Sequence, residues 1–493
     1  MFDVCVVGGG TVGLFLAAQQ TARGQSVIVL EAGRSRGDNK DLLLGPHPES
    51  GSHRGSQEAW TTGLGGTSQL WGGQLWPWQE WEFAGQAQRG ISAWPLEYGE
   101  IRPYYEQVLR ALRLPATHAQ IHGHFGAAGK LPTMSESDYS LRYSSWLSRS
   151  HRNFHKNSVI RSNLKNATVR QGLVVNRISS IGAGSSEVEV RDSSGNLSKI
   201  TARNIILTAG TLGTARILRN SEISQDLPAL GRGFLDHVSK RIAQFDVVDW
   251  NKFRAFSAPK KVRGVLASPR VVPSLDFMNR HGMLPCYAHW EFASPRSGAV
   301  ASVRSWLRAG QTGERRPAVS TILADLNGES GELAEALTRS VRFGERPVPK
   351  SSLPYLRLDV QQPTRTDVQL EWTENEAKPE YPNLSLSWRT GSEEADTAAV
   401  ISDRLLTCLN SLDIGATGHR LPVDGAFEDI FHMMGGTRMA VTSTDGVVDS
   451  DSLIFGTNNI FVAGASVFPS GGMANPTFTA LALAARIDAR IAG

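Results

Sequence analysis

Close to the start of the chain, glycines fall at positions 8, 10 and 13 of Val6-Val7-Gly8-Gly9-Gly10-Thr11-Val12-Gly13, a G-x-G-x-x-G spacing. The chemistry that needs this spacing is the binding of a dinucleotide pyrophosphate. Gly8 permits a tight turn, Gly10 lets backbone approach the phosphates, and Gly13 allows a helix to pack closely on a strand. A helix opening at Thr11 would present unpaired backbone N–H groups, which favour an anion. Glu31 lies 18 residues beyond Gly13, where a carboxylate suits the ribose hydroxyls of a bound adenosine. These residues predict a dinucleotide site and leave open whether it holds NAD or FAD.

Other side chains could also do chemistry. Trp71, Trp76, Trp78 and Trp81 fall within eleven residues, beside the glycine pairs Gly65-Gly66 and Gly72-Gly73. Indoles at that density suit either of two tasks, stacking on sugar faces or packing a large irregular loop. Among twelve histidines, His122 and His124 form an H-x-H pair with no third ligand nearby. They read as loop residues, and no metal site is expected. Cys5, Cys286 and Cys408 lie far apart without C-x-x-C spacing, which fits a reduced compartment.

The elements that must position these residues follow from hydrophobic periodicity. Residues 2–7 form an apolar run broken only by Asp3, residues 11–23 carry helical spacing ended by Gly24, and residues 27–30 are a second apolar run. That order is a βαβ unit. Residues 95–114 and 211–219 read as helices, and 173–175 and 205–207 as strands. From about 241 to 420 the character changes. More than half of the prolines fall there, with alternating patterns such as Asp367-Val368-Gln369-Leu370-Glu371-Trp372 and one amphipathic helix over 393–412. Fold signals at both ends around a different middle predict a discontinuous first domain and an inserted second one.

Bulk composition agrees. In 493 residues, hydrophobics make up 40% and charged side chains 20%, which excludes a disordered chain. A net charge of +4 over this length gives no nucleic-acid footprint, and Arg304 and Arg308 sit among apolar residues on what reads as a solvated face. No window reaches the ~18 apolar residues of a membrane span. Met1-Phe2-Asp3 lacks a secretory signal's positive start, so a cytoplasmic location is expected.

The last 65 residues contain Phe431-His432-Met433-Met434-Gly435-Gly436-Thr437-Arg438-Met439 and Gly446-Val447-Val448-Asp449. Asn459-Ile460-Phe461-Val462-Ala463-Gly464-Ala465-Ser466-Val467-Phe468-Pro469 and Ala474-Asn475-Pro476-Thr477-Phe478-Thr479 follow. This order resembles the C-terminal signature of the glucose–methanol–choline (GMC) family of FAD-dependent oxidoreductases. Gly65-Gly66-Thr67-Ser68-Gln69-Leu70-Trp71-Gly72-Gly73, Trp94-Pro95-Leu96, Ala209-Gly210-Thr211-Leu212-Gly213-Thr214 and Gly231-Arg232-Gly233-Phe234-Leu235-Asp236-His237 resemble further family pieces, in the family's order. The resemblance covers residues 1–110, 165–240 and 425–493. It implies an α/β fold: a Rossmann-like FAD-binding domain from those three segments, and an inserted sheet-plus-helix substrate domain of α+β type from 241–424 with 111–164.

The resemblance implies FAD as the cofactor, with His432 as the base that takes a hydroxyl proton and Asn475 as hydrogen-bond partner of the substrate oxygen. It places the Pro476-Thr477 backbone over the flavin pyrimidine. Further cofactor contacts are implied from Gly65, Gly66, Thr67, Trp71, Gly72, Gly73, Val174, Ala209 and Ala465. His237 is expected to be structural. Some relatives attach FAD through a histidine in the first Gly-rich loop; residues 67–71 hold none, so non-covalent FAD is expected. Many relatives carry an acid where this chain has Gly464. The motifs look most like the pyranose and glycoside oxidase branch. The expected substrate is therefore a secondary hydroxyl of a sugar or glycoside, with oxygen or another electron acceptor. Oxidation of a non-sugar alcohol or sterol, and a non-redox lyase holding an idle flavin, are the alternatives.

Overall fold

Val4, Cys5, Val6 and Val7 are almost without solvent exposure, as are Val27, Ile28, Val29 and Leu30. Strands this uniformly apolar require cover on both faces. In the computed structural model they are the central strands of a sheet ordered β5-β2-β1-β8-β7-β6. Its strands are β1 (Phe2–Val7), β2 (Val27–Glu31), β5 (Thr168–Gln171), β6 (Val174–Ser180), β7 (Ser186–Arg191) and β8 (Leu197–Leu207). β18 (Ile460–Val462) pairs β8 in parallel, so the chain's last strand joins the same sheet as its first. β1, β2, β5, β8 and β18 run parallel, while β6 and β7 are antiparallel additions. The structure describes the chain outside residues 39–52, 115–119, 121–137, 182–183, 294–304, 307–317, 319, 321–330, 332–333, 336–337, 342–343, 347, 374–382 and 493. His122, His124, Arg304 and Arg308 lie outside the described residues.

Helix α1 (Thr11–Ala22) packs against this sheet, and α5 (Thr477–Ala492) packs on α1. A buried polar tie fixes them. The Asp488 carboxylate, fully enclosed, accepts from the Gln20 amide at 2.9 Å and from Arg23 at 2.9 Å. The tie joins residues 468 positions apart in sequence. A carboxylate at that depth is tolerated because donors meet it.

The second sheet has the order β16-β9-β13-β12-β11-β4-β3 and is antiparallel throughout. Its strands are β3 (Gln74–Leu75), β4 (Tyr139–Trp146), β9 (His237–Val247), β11 (Val265–Pro273), β12 (Cys286–Ala293), β13 (Leu353–Gln361) and β16 (Ala416–Arg420). The short β10 (Lys260–Val262) pairs β11, and β17 (Glu428–Asp429) pairs β9; β14 (Leu370–Thr373) and β15 (Asn383–Leu386) form a separate pair. Helix α4 (Ser392–Asn410) covers β9, β13 and β16, burying Ala398, Ile401, Leu405 and Leu409. Its first turn is anchored by Glu394, which accepts from the Gly391 N–H and pairs with Arg365 at 2.8 Å. Helix α2 (Tyr98–Ala111) packs on α5, and α3 (Gly210–Arg219) follows β8.

The tryptophan-rich segment belongs to the core. Trp76 and Trp78 are each 1% exposed. Trp78 meets Phe83, Trp94 and Phe468 with ring centroids 5.2–5.8 Å apart. Neither indole has a face left for a sugar, so packing is the task of these two. Trp71 alone of the four lines the cavity described below. Cys5 and Cys286 are buried free thiols. Among the described residues, no helix is long and apolar enough to cross a membrane.

Candidate active site

A cavity of about 670 Å³ opens at the carboxyl ends of β1, β2, β8 and β18, where parallel sheets bind ligands. Gly8, Gly10, Thr11, Glu31, Gly66, Thr67, Trp71, Gly72, Gly73 and Ala209 line it, as do His432, Ala465, Asn475, Pro476 and Thr477. Gly13, Gly65 and Val174 are not on its wall. Gly13 faces inward, toward Gly8 and Thr208. Gly65 holds the loop in place by donating its N–H to the Gly9 carbonyl at 2.8 Å. Leu173 and Val175 line the cavity instead of Val174, because successive residues of an extended segment point to opposite sides.

The glycine-rich turn leaves room where a ligand would lie. Helix α1 starts without a side-chain cap and with no acid in its first turn, so its first N–H groups are unclaimed by side chains and favour negative charge. A side-chain carbon built on Gly10 would meet no atom within 4 Å. The same is true at Gly464, where the absence of an acid leaves the cavity wall bare.

Glu31 has a structural task beyond the one its position predicts. Its carboxylate accepts the backbone N–H groups of Gly9 at 2.8 Å, Gly33 at 2.9 Å and Gly63 at 2.8 Å. It thereby ties the glycine turn, the end of β2 and the Gly65–Gly73 loop to one point. A carboxylate has about four lone-pair directions, so one remains for a ligand hydroxyl. Glu31→Ala strands buried donors at ~1–3 kcal/mol each. We expect a lower melting temperature in the ligand-free protein, measured by calorimetry; a mere weakening of ligand binding would refute the bracing role.

His432 and Asn475 come from segments 43 residues apart and meet on the cavity wall, with Asn475 Nδ2 2.8 Å from His432 Nε2. β17 positions the histidine: it pairs with β9, and the Ile430 N–H donates to the His237 carbonyl at 3.1 Å. The Asp236 carboxylate then accepts the His432 backbone N–H at 2.8 Å. Phe431 between them is held at φ +70°, a left-handed conformation that a bulky residue adopts only under surrounding constraint. Asn475 sits just before α5, on a turn clamped by the tryptophan-rich segment. Glu82 accepts the Met473 N–H at 2.7 Å, Trp78 donates to the Ala474 carbonyl at 3.2 Å, and Trp94 donates to Ser470 at 3.0 Å. Burial raises the Glu82 carboxyl to about 7, against the backbone N–H groups of Gln79 and Met473 that donate to it. The Asn475 Oδ1 atom is buried without a partner.

The imidazole of His432 opens one edge onto the cavity and is otherwise enclosed. Desolvation, aided by the neighbouring His237, pushes it down to about 3, and burial lowers His237 as well. Both rings are therefore neutral near pH 7, and a neutral imidazole is what a base requires. An unfolded histidine takes up its proton near 6.5. Between about 6.5 and about 3 the unfolded chain thus binds more protons than the folded one, and stability falls as pH falls through that window. Asp236, raised by burial, works in the opposite direction. We expect the urea midpoint to drop between pH 7 and pH 4, and to drop less steeply in His432→Asn. Equal slopes would show that His432 is not held neutral by the fold.

Three functional positions escape the sequence patterns. His237, expected to be structural, lies with Nδ1 2.9 Å from His432 Nδ1. Its place in Gly231-Arg232-Gly233-Phe234-Leu235-Asp236-His237 was the available signal. Asp236 shares that piece. Glu82 has no sequence signal, because its contact with Met473 spans 391 residues. His53, Asp236 and Asp429 cluster within 4.8 Å of one another, but their atoms are engaged. The Ser56 N–H donates to His53 Nδ1, His53 Nε2 meets Asp236 at 3.1 Å, and Asp429 accepts the N–H groups of Arg54 and Gly55. This cluster braces the backbone behind His432.

Residues 366–484 match the family model described as GMC oxidoreductase, C-terminal. No curated protein sequence matches the chain. Formate oxidase from Aspergillus oryzae RIB40, in a variant studied for FAD modification, has a similar structure: TM-score 0.58 at 16% identity, covering 99% of this chain and 98% of that one. A second formate oxidase structure gives 0.57 at 16% identity, with the same coverage. Pyridoxine 4-oxidase from Mesorbium loti gives 0.56 at 16% identity, covering 99% of both chains. At these identities the likeness establishes the fold, an α/β architecture shared over the whole chain.

Proposed function

We propose that this chain, with a C-terminal segment matching the GMC oxidoreductases on a fold shared with two oxidases, is a GMC-type, FAD-dependent oxidoreductase that oxidises a CH–OH group of a small molecule. The observation that carries this reading is the His432–Asn475 pair, 2.8 Å apart on the wall of the cavity that Gly8 and Gly10 also line. The residues fit FAD. The uncapped start of α1 and the open space over Gly10 suit a pyrophosphate, Glu31 retains a lone pair for a ribose hydroxyl, and the backbone at Pro476 and Thr477 is available to the flavin ring. Bound FAD would supply the hydride acceptor.

The chain's own residues do the rest. The substrate hydroxyl donates to His432 Nε2 and accepts from the Asn475 amide, taking the place of the contact now made between the two side chains. As the hydroxyl proton passes to His432, Asn475 holds the developing alkoxide without competing for the proton. Residues 1–110, 165–240 and 425–493 form the FAD unit in this reading, and 241–424 with 111–164 the substrate unit. Attachment is non-covalent, since residues 67–71 offer no histidine. A secondary hydroxyl of a sugar or glycoside is the finer substrate proposal. It rests on the Gly65–Gly73 motif, because Trp76 and Trp78 offer no stacking face.

The test is reconstitution with FAD followed by anaerobic exposure to glycosides, simple alcohols, pyridoxine and formate, with the flavin spectrum as readout. Bleaching by a CH–OH compound is expected, with the flavin released intact on denaturation. Failure to take up FAD overturns the proposal. A compound that is consumed while the spectrum stays oxidised assigns the chain to the lyases instead.

A further inference from the structure

The carbonyl of Gly472 lies 2.6 Å from His237 Nε2. A carbonyl oxygen only accepts, so His237 Nε2 carries a hydrogen. His237 is 2% exposed and burial disfavours its cation. The nearby anions are committed elsewhere: Asp236 to His53 and the His432 backbone, Asp359 to Ser239 and His289. His237 is therefore neutral, and its Nδ1 is a bare acceptor. The atom facing it at 2.9 Å is His432 Nδ1, which must then be the donor. That leaves His432 Nε2 without a hydrogen, facing the Asn475 amide nitrogen at 2.8 Å. The direction of this chain, Asn475 N–H to His432, His432 to His237, His237 to Gly472, is set at its far end by one carbonyl.

The carbonyl is itself fixed. Gly472 has φ +58°, and a Cβ there would lie 2.6 Å from the Trp78 ring. Trp78 is 1% exposed and also holds the Ala474 carbonyl. The buried indole thus packs directly on Gly472 and braces the backbone that carries this oxygen.

We infer that His237 is a positioning residue that locks His432 in the tautomer with Nδ1 protonated and Nε2 bare, so that the base always faces the cavity with its lone pair. The inference rests on the reading of His432 as the base. It gives the tryptophan-rich segment a role in the chemistry through Gly472, and it gives the Gly231–His237 piece a functional reason.

The test uses holoenzyme labelled with ¹⁵N-histidine, and the variants His237→Asn and His237→Leu. Asparagine keeps an acceptor near the Nδ1 position; leucine removes it. We expect the His432 signals, assigned by their loss in His432→Gln, to report a protonated Nδ1 and a bare Nε2. His237→Leu should lower the anaerobic flavin-reduction rate by at least about 10-fold, as loss of a tautomer-setting partner does elsewhere. Substrate dissociation should be unchanged within about 3-fold, and His237→Asn should restore most of the rate. A protonated Nε2 in the wild-type holoenzyme overturns the inference whether or not any variant folds. A wild-type rate in His237→Leu overturns it while leaving His432 as the base. A wild-type rate in His432→Gln overturns the base assignment itself.

Discussion

His432→Ala is expected to slow anaerobic flavin reduction by at least ~10²-fold, the scale on which a positioned general base contributes. The physical reason lies in the enclosure of the ring. Its Nε2 faces Asn475 and the cavity, its Nδ1 faces His237, and its backbone is held by Asp236. Among the described residues, no other histidine, aspartate or glutamate lining the cavity meets the Asn475 side chain. Glu31 and Glu58 also line the cavity, but Glu31 is held by three backbone donors and Glu58 by Arg54. Alanine therefore leaves the hydroxyl proton with no acceptor. FAD content should stay near stoichiometric, since the contacts proposed for the nucleotide come from other residues of the cavity wall. Stopped-flow spectroscopy measures the rate and the bound flavin together. An unchanged reduction rate at full flavin content would remove His432 from the role.

The second large effect separates two glycines three residues apart. In Gly13→Ala the new carbon would lie 2.0 Å from the Gly8 carbonyl oxygen and 2.5 Å from Thr208 Oγ1. Neither neighbour can retreat, because Thr208 Oγ1 bridges the Val7 and Gly8 carbonyls at 2.9 and 2.8 Å. Helix α1 must lift off β1, and its ties to Asp488 go with it. Overpacking of this severity costs ~3 kcal/mol or more. We expect insoluble protein, or a fall of several degrees in the melting temperature of the ligand-free form. In Gly10→Ala the new carbon meets nothing in the protein, so stability should be preserved. It occupies the space proposed for the pyrophosphate, and FAD affinity should fall at least ~10-fold, about 1.4 kcal/mol. Calorimetry of the ligand-free proteins and flavin titration distinguish the two. Equal behaviour in both assays would contradict a cradle in which one glycine serves packing and the other the ligand.

Some of this was legible in local sequence. The strand–glycine–helix opening is a contiguous pattern, since its turn, helix start and close packing are set by residues within one βαβ unit. The apolar runs of β1 and β2 announced strands covered on both faces. His432 and Asn475 became candidates because each stands in a short contiguous motif that resembles the GMC family's. Periodicity also gave the long helix over Ser392–Asn410 close to its observed bounds.

Other assignments depended on contacts that no local pattern encodes. Glu31 directly follows the apolar run of β2, but its three backbone partners lie on separate loops. The tryptophans admitted two readings because an indole's composition says nothing about which of its faces is covered. Only the burial of Trp78 against Phe83, Trp94 and Phe468, and of Trp76 against Tyr287, decided the matter for these two.

The sequence by itself supplied the candidates: a glycine-rich turn between strand and helix, and a histidine with an asparagine at the far end of the chain. Only the tertiary structure decided how that histidine is poised. Its proton position follows from His237 on β9, from the Gly472 carbonyl before α5 and from Trp78 behind it, groups separated by as many as 394 residues. A motif fixes which atoms are present, because local backbone geometry follows from neighbouring residues. The direction of a hydrogen-bond chain follows from which donor meets which acceptor, and folding alone brings those together.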